Sequence, residues 1–190
     1  MNHVICSDVT DENINTFKHL HTCIFPANYP SKFYREIFNK NSLNKIVLIG
    51  EQSVGVLSAR VLESDLGKSL YLTSLGCKVL YRRKGLGSLL LSEAQKFALN
   101  QDCKYIRLHV QEGNEAAMDF YRDKGFQIES VVPGYYTRLQ PSNAFLMYLN
   151  MWQTISLKKL LSSLVQVNQG KKLKKLLYNP KQSGSPVCVE

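Results

Sequence analysis

The sequence lacks any run of roughly 18 apolar residues, the minimum for a membrane-spanning helix. Its start, Met1 to Ile14, has no basic segment followed by an apolar stretch, so no secretory leader is expected. The five cysteines (Cys6, Cys23, Cys77, Cys103, Cys188) are scattered and form no C-x-x-C pair, and the four histidines follow no ligand spacing. Neither a disulfide framework nor a structural metal is therefore expected, and reduced thiols suit a cytoplasmic protein. Eleven glycines and six prolines are too few for a collagen-like or proline-rich chain. Charged residues make up only 21% against 44% hydrophobic, which excludes wholesale disorder. Acidic residues are nearly missing from the last forty positions, where seven lysines face Glu190 alone. Most of the net charge of +9 sits there. Residues 1–150 thus read as one balanced domain and residues 151–190 as a basic tail.

Within the body, Ile14, Phe17, Leu20 and Ile24 recur at helical spacing, with Asp8 or Thr10 as candidate caps. Phe25-Pro26-Ala27-Asn28-Tyr29-Pro30 interrupts that helix, since proline removes a donor and restricts the residue before it. A second helical pattern runs through Phe33, Tyr34, Ile37 and Phe38. Strand-like runs follow at 45–49, 54–62 and 69–78, joined by short loops, which favours an antiparallel meander. Gly85-Leu86-Gly87 opens a long helix with Leu86, Leu89, Leu90, Ala94 and Phe97 on one face. A strand at 104–111 alternates Ile106, Leu108 and Val110 against Arg107, His109 and Gln111. Asn114 suits the cap of a helix over 115–124, and Gly125 its C′ position. Two last strands, 126–132 and 145–150, flank Pro133-Gly134-Tyr135-Tyr136. The fold class is α+β: a mixed, mostly antiparallel sheet with helices on both faces, in three layers.

The strongest local signal is Leu75-Gly76-Cys77-Lys78-Val79-Leu80-Tyr81-Arg82-Arg83-Lys84-Gly85-Leu86-Gly87-Ser88, which runs from a strand into a helix. Glycines 85 and 87 allow close backbone approach to a ligand, and amides at a helix N-terminus bind anions with help from the helix dipole. Arg82, Arg83 and Lys84 add positive charge. A pyrophosphate is the natural guest, although the spacing is neither that of a nucleotide-hydrolysing P-loop nor of a dinucleotide fingerprint.

Thirty residues on, the strand bearing His109 runs into Asn114-Glu115-Ala116-Ala117-Met118-Asp119-Phe120-Tyr121-Arg122-Asp123-Lys124-Gly125-Phe126. Strand, glycine loop, helix, strand, then N-x-A-A-x-x-F-Y-x-x-x-G-F resembles the GCN5-related N-acetyltransferase (GNAT) family over residues 4–150. The motifs Phe25-Pro26-x-x-Tyr29, Tyr71-x-x-x-Leu75-Gly76, Tyr81-Arg82-Arg83-x-Gly85, Leu108-His109-Val110 and Tyr135-Tyr136 are similar to the Nα-acetyltransferases of the NatE type, with the NatF type second. The resemblance implies acetyl-CoA as co-substrate and no metal. It also implies transfer of acetyl to the α-amino group of protein N-termini, chiefly Met followed by a hydrophobic or other non-acidic residue.

By the same resemblance, Arg82, Arg83, Lys84, Gly85, Leu86, Gly87 and Ser88 hold the pyrophosphate, amides of Leu75, Gly76 and Cys77 polarise the thioester, and Asn114 and Tyr121 lie along the coenzyme. Tyr121 either hydrogen-bonds the sulfur or simply packs beside Phe97 and Phe120. The substrate slot falls to Phe25, Pro26 and Tyr29 in one loop, Tyr71 on the sheet, and Tyr135, Tyr136 and Leu139 in another. Aromatics suit this task because they enclose an apolar side chain while hydroxyls bind peptide backbone. Ala27 and Asn28, between Pro26 and Tyr29, and Leu139 depart from the family pattern and leave the second-residue preference open.

Acyl transfer needs a neutral amine, and an α-amino group with a pKa of about 7.7–8.0 is largely protonated at neutral pH. His109, with an ordinary pKa of about 6.5, is the candidate base, and Tyr71 either positions a shared water or helps remove the proton. Cys77 as a covalent carrier would need an activating partner, so direct attack is expected. In the tail, Trp152, Ile155, Leu160, Leu161, Leu164 and Val165 recur at helical spacing among lysines. Such a segment suits an anionic membrane, RNA or an acidic partner, or packs on the body. Expected partners are N-terminal peptides, NatA-type acetyltransferase subunits and the ribosome, at a cytosolic or organelle-surface address, with the nucleus as a further address. The rival readings are a lysine or small-amine acetyltransferase of the same fold, and a non-catalytic acetyl-CoA-binding subunit.

Overall fold

A computed structural model of the chain describes residues 3–65 and 67–152. The tail reading, from residue 153 on, lies outside the described residues. The elements run β1 (Val4–Asp8), α1 (Ile14–Ile24), α2 (Ser31–Glu36), β2 (Ser42–Ile49), β3 (Gln52–Ser64), β4 (Gly67–Cys77), α3 (Leu86–Asn100), β5 (Tyr105–Gln111), α4 (Glu115–Asp123), β6 (Gln127–Val132) and β7 (Ala144–Asn150). One sheet of seven strands is ordered β1-β2-β3-β4-β5-β7-β6. All neighbours pair antiparallel except β4 with β5, which are parallel.

Adjacent residues on β2 and β3 sort the helices to opposite faces, as the period of two along a strand requires. Ile46 and Val56 join Phe17, Leu20 and Ile37 in one core, under α1 and α2. Val47 and Gly55 turn the other way, toward Leu90 of α3. Phe120 of α4 reaches Gly87 at the start of α3, so both helices share that face. The expected three layers are present. On α3 the buried residues are Leu86, Leu90, Leu91, Ala94 and Ala98, so the stripe is rotated: Leu91 and Ala98 take the places expected of Leu89 and Phe97.

Two features differ from the expectations. Val4–Asp8 is an edge strand paired to β2, which the sequence patterning does not reveal because Val4 and Ile5 are 48% and 53% exposed. The first helix starts at Ile14 with Asn13 before it, and neither Asp8 nor Thr10 caps it. Asn13 Oδ1 instead accepts the Thr10 amide at 2.9 Å, and its Nδ2 donates to the Asp8 carbonyl. That side chain closes the turn after β1 and leaves the helix amides to others.

Candidate active site

β4 and β5 pair only from Ser69 opposite Tyr105 to Tyr71 opposite Arg107. Beyond that point β4 continues to Cys77 and β5 to Gln111 without pairing to each other, so the sheet opens into a cleft. The break coincides with a bulge: Ser58 pairs with Ser74 and Ala59 with Leu72, leaving Thr73 as the extra residue on β4. A bulge bends its strand and increases the local twist. Alternate amides between Leu75 and Cys77 then face the opening, where a thioester carbonyl could accept from them.

At the end of β4 the chain makes one 3-10 turn, Val79–Tyr81, and enters α3 through a strained loop. Arg83 has φ +62° and Gly85 φ +81°, both in the left-handed region. A Cβ on Gly85 would meet nothing within 4 Å, whereas one on Gly87 would meet the Phe120 ring at 3.3 Å. Glycine 85 is therefore required by backbone conformation and glycine 87 by helix packing. The Leu89 amide is the first to bond back, to the Gly85 carbonyl at 3.0 Å. The amides of Leu86, Gly87 and Ser88 have no carbonyl behind them in the helix, so their geometry would let them donate to an anion. Arg82, Arg83 and Lys84 are exposed around it. Arg82 Nε also reaches the Cys77 carbonyl at 3.4 Å, and Lys84 lies 5.3 Å above the Tyr81 ring.

Tyr71 and His109 meet at the mouth of the cleft. Tyr71 Oη lies 2.8 Å from His109 Nδ1 and 2.9 Å from Tyr135 Oη. Tyr135 stacks on the His109 ring at 4.0 Å with 9° between planes. Tyr71 pairs with Arg60 of β3 and Arg107 of β5, which turns its side chain to the α1/α2 face. Burial pushes the Tyr71 phenol well above the ordinary value, aided by its bond to Tyr135. It stays protonated and suits holding a water or an amine better than removing a proton. Burial lowers the His109 pKa, so the ring is neutral near pH 7 and able to accept one.

Burial likewise raises Tyr29, Tyr121 and Tyr136, the last to about 12. Tyr136 packs edge-on against Tyr135, with ring centroids 4.9 Å apart. Tyr121 is only 7% exposed and packs edge-on against Phe120 and Phe126 at 5.1 and 5.2 Å. Asn114 serves its own helix, accepting the Ala117 amide at 3.2 Å. Burial raises the Cys77 thiol, which works against a covalent role. Leu139 is half-buried, with its amide donating to the Tyr136 carbonyl at 3.4 Å.

Phe25 and Tyr29 form a strap from α1 to α2 that crosses the bulged part of β4. Tyr29 Oη donates to the Thr73 carbonyl at 3.4 Å, and the Phe25 ring lies where a Cβ on Gly76 would be, 3.0 Å away. Pro26 is exposed at the bend. Behind the strap stands a residue that the sequence reading passed over. His21 is 1% exposed, with Nδ1 at 2.9 Å from the Phe17 carbonyl and Nε2 at 2.8 Å from Ser74 Oγ. The signal was available: a histidine one turn after Phe17 and one turn before Phe25, on the buried side of an amphipathic helix. A cavity of about 360 Å³ continues beside the strap, bounded by Tyr29, Phe33, Glu36, Arg60 and Thr73. Among the described residues no cluster of three or more His, Cys, Asp or Glu side chains could hold a metal, and no helix is long and apolar enough to cross a membrane.

Comparison with known proteins bears on this geometry. The acetyltransferase (GNAT) family model matches residues 14–126. The chain is 38% identical over 139 residues to N-alpha-acetyltransferase 50 of Danio rerio, covering 72% of this chain and 82% of that protein. It is 31% identical over 162 residues to N-alpha-acetyltransferase 60 of Xenopus tropicalis, covering 73% and 67%. Among solved structures it superposes on Arabidopsis thaliana Naa50 in complex with the bisubstrate analogue CoA-Ac-MVNAL. The TM-score is 0.71 at 29% identity, over 77% of this chain and 98% of that one.

Proposed function

The chain belongs to the acetyltransferase (GNAT) family, and from that premise we infer that it is an Nα-acetyltransferase moving acetyl from acetyl-CoA to the α-amino group of protein N-termini. The observation that carries this reading is the hydrogen-bonded set Tyr71–His109–Tyr135 at the mouth of the β4/β5 cleft, beside the glycine loop. Leu86, Gly87 and Ser88 amides with Arg82, Arg83 and Lys84 would seat the coenzyme's pyrophosphate. Amides of Leu75 to Cys77 would polarise the carbonyl under attack.

With its proton on Nδ1, His109 donates to Tyr71 and keeps the Nε2 lone pair for a water that takes the substrate's proton. Tyr71 and Tyr135 hold that ring in plane and in place. The peptide enters between the Phe25–Tyr29 strap and the Tyr135–Tyr136 loop. The aromatic wall favours a methionine side chain, and an acidic second residue would lose its hydration without a cation to replace it. The cavity bounded by Tyr29 and Arg60 is a bed for residues further along the peptide.

The likeness to N-alpha-acetyltransferase 50 favours a NatE-type enzyme, and we propose NatA-type subunits, the ribosome and the cytosol as its setting. The lysine-rich tail, at 151–190, would supply the contact to ribosomal RNA or to an anionic organelle surface. The test is product analysis. The pure protein is incubated with acetyl-CoA and peptides that vary residues one and two and carry internal lysines, and mass spectrometry locates the acetyl group. Acetyl on the α-amine of Met-initiated, non-acidic peptides is the expected result. Acetyl on internal lysines alone would overturn the reading.

A further inference from the structure

The part of the molecule with the densest unexplained chemistry is the ring of aromatics around His21. An imidazole buried in an apolar cluster is costly unless both nitrogens are bonded. Here both are. The Phe17 carbonyl can only accept, so Nδ1 carries the proton and Nε2 accepts from the Ser74 hydroxyl. The His21 backbone also takes part in the last turn of α1, where its carbonyl accepts the amide of the C-cap residue Phe25 at 3.1 Å. Its ring touches both ends of the substrate strap: Phe25 at 5.5 Å and Tyr29 at 4.6 Å between centroids. Ser74 directly follows the bulged Thr73, whose carbonyl receives Tyr29.

Apolar packing alone would hold α1 against the sheet, and Phe17 and Leu20, both fully buried, already do so. It would not fix where the strap lies along β4, because apolar contacts have no preferred direction. A hydrogen bond has one. We propose that His21 is a positioning residue for peptide binding, whose bonds to the Phe17 carbonyl and the Ser74 hydroxyl lock the Phe25–Tyr29 strap in register with the bulge of β4 and pre-form the pocket for the substrate's first side chain. The proposal rests on the peptide reading of the site. Pre-organisation of this kind lowers the ordering cost of binding and leaves the chemical step alone.

The experiment uses the full chain. Turnover of wild type with acetyl-CoA and a Met-initiated peptide comes first; its absence with every N-terminal peptide would overturn the peptide reading itself, whatever His21 does. With that turnover in hand, His21→Leu, His21→Gln and Ser74→Ala are compared. Leucine offers similar bulk without bonds, and glutamine restores one donor and one acceptor. His21→Leu and Ser74→Ala are expected to raise the peptide KM about tenfold, the size of one or two buried hydrogen bonds. The acetyl-CoA KM and kcat should stay within about twofold of wild type, glutamine should recover most of the loss, and the Leu/Ala double variant should be no worse than leucine alone. An unchanged peptide KM, or a parallel change in kcat and both KM values, would overturn the proposal and leave His21 a plain core residue. Should His21→Leu fail to fold, Ser74→Ala alone decides by the same split.

Discussion

The buried histidine also makes the fold sensitive to acid, and the size of that effect follows from its surroundings. In the unfolded chain His21 titrates near 6.5; in the folded one, desolvation holds it down to about 4, against a smaller opposing pull from the Phe17 carbonyl. A histidine held low favours the folded state above pH 6.5 and loses that contribution as pH falls toward 4, because the unfolded chain gains a proton that the native chain refuses. Integrating the difference gives a loss of about 2 kcal/mol by pH 5 and about 3 kcal/mol by pH 4. For a domain stabilised by about 5–15 kcal/mol this is a large share. The assay is urea unfolding by circular dichroism at pH 7, 6 and 5, on wild type and His21→Gln. Glutamine keeps a donor and an acceptor but does not titrate, so its stability should fall about 2 kcal/mol less between pH 7 and pH 5. The lowered His109 contributes equally to both proteins and cancels in the comparison. Parallel pH slopes, or an NMR titration placing the His21 ring near 6.5, would refute the reasoning.

His109→Ala and Tyr71→Phe should each lower kcat, the first by about 10²–10⁴ as for a lost general base, while acetyl-CoA affinity measured by calorimetry stays within about twofold. Equal rates would remove the pair from the mechanism. Gly85→Ala forces a side chain into φ +81° at a cost of about 1–2 kcal/mol and should weaken acetyl-CoA binding, read by the same calorimetry, because the Leu86 to Ser88 amides depend on that turn. Gly76→Ala would set a Cβ 2.7 Å from Ile24 Cγ2 and 3.0 Å from Phe25 Cζ. Overpacking of this degree costs about 1–3 kcal/mol and should push Phe25 out of the slot, so the urea midpoint should drop and the peptide KM rise together.

Local features were legible in the sequence wherever one element carries its own pattern. The alternation of β5 put Ile106, Leu108 and Val110 inside, and all three are buried. Asn114 and Gly125 bracket α4 as their chemistry suggested, the glycine at φ +85°. Gly85 could be recognised because a helix entry rich in glycine and cations has few other uses. Pattern failed where exposure erased it, as in β1, whose pairing with β2 bridges Val4 to Ile49 across most of the N-terminal third. Helix 1 shows the other failure: the stripe Phe17, Leu20 and Ile24 was read as apolar, and the histidine in its midst was passed over because histidine carries no fixed polarity.

What no periodicity could supply is the meeting of Tyr71, His109 and Tyr135. They come from β4, β5 and the β6–β7 loop, so their contact depends on three long-range facts. β4 and β5 must pair with Tyr71 opposite Arg107, which sets His109 two residues beyond the last rung and on the same face as Arg107. The bulge at Thr73 must then part the two strands, so that Tyr71 leans across to His109 where another sheet would close over it. β6 and β7 must pair from Gln127 opposite Tyr148 to Val132 opposite Ala144, which delivers the loop bearing Tyr135 beside the ring on which it stacks. Residue identity names the groups able to do acyl-transfer chemistry, but one extra residue in β4 brings them to a common point. Deleting Thr73 should therefore make Ser58–Ser74 and Ala59–Leu72 consecutive rungs of a regular β3–β4 ladder, so that each paired side chain keeps its face while the bend that parts β4 from β5 is lost. Acetyl-CoA-dependent turnover should vanish in that variant even if its circular dichroism spectrum stays native. Retained turnover in a folded deletion variant would show that the parting of the strands has another cause.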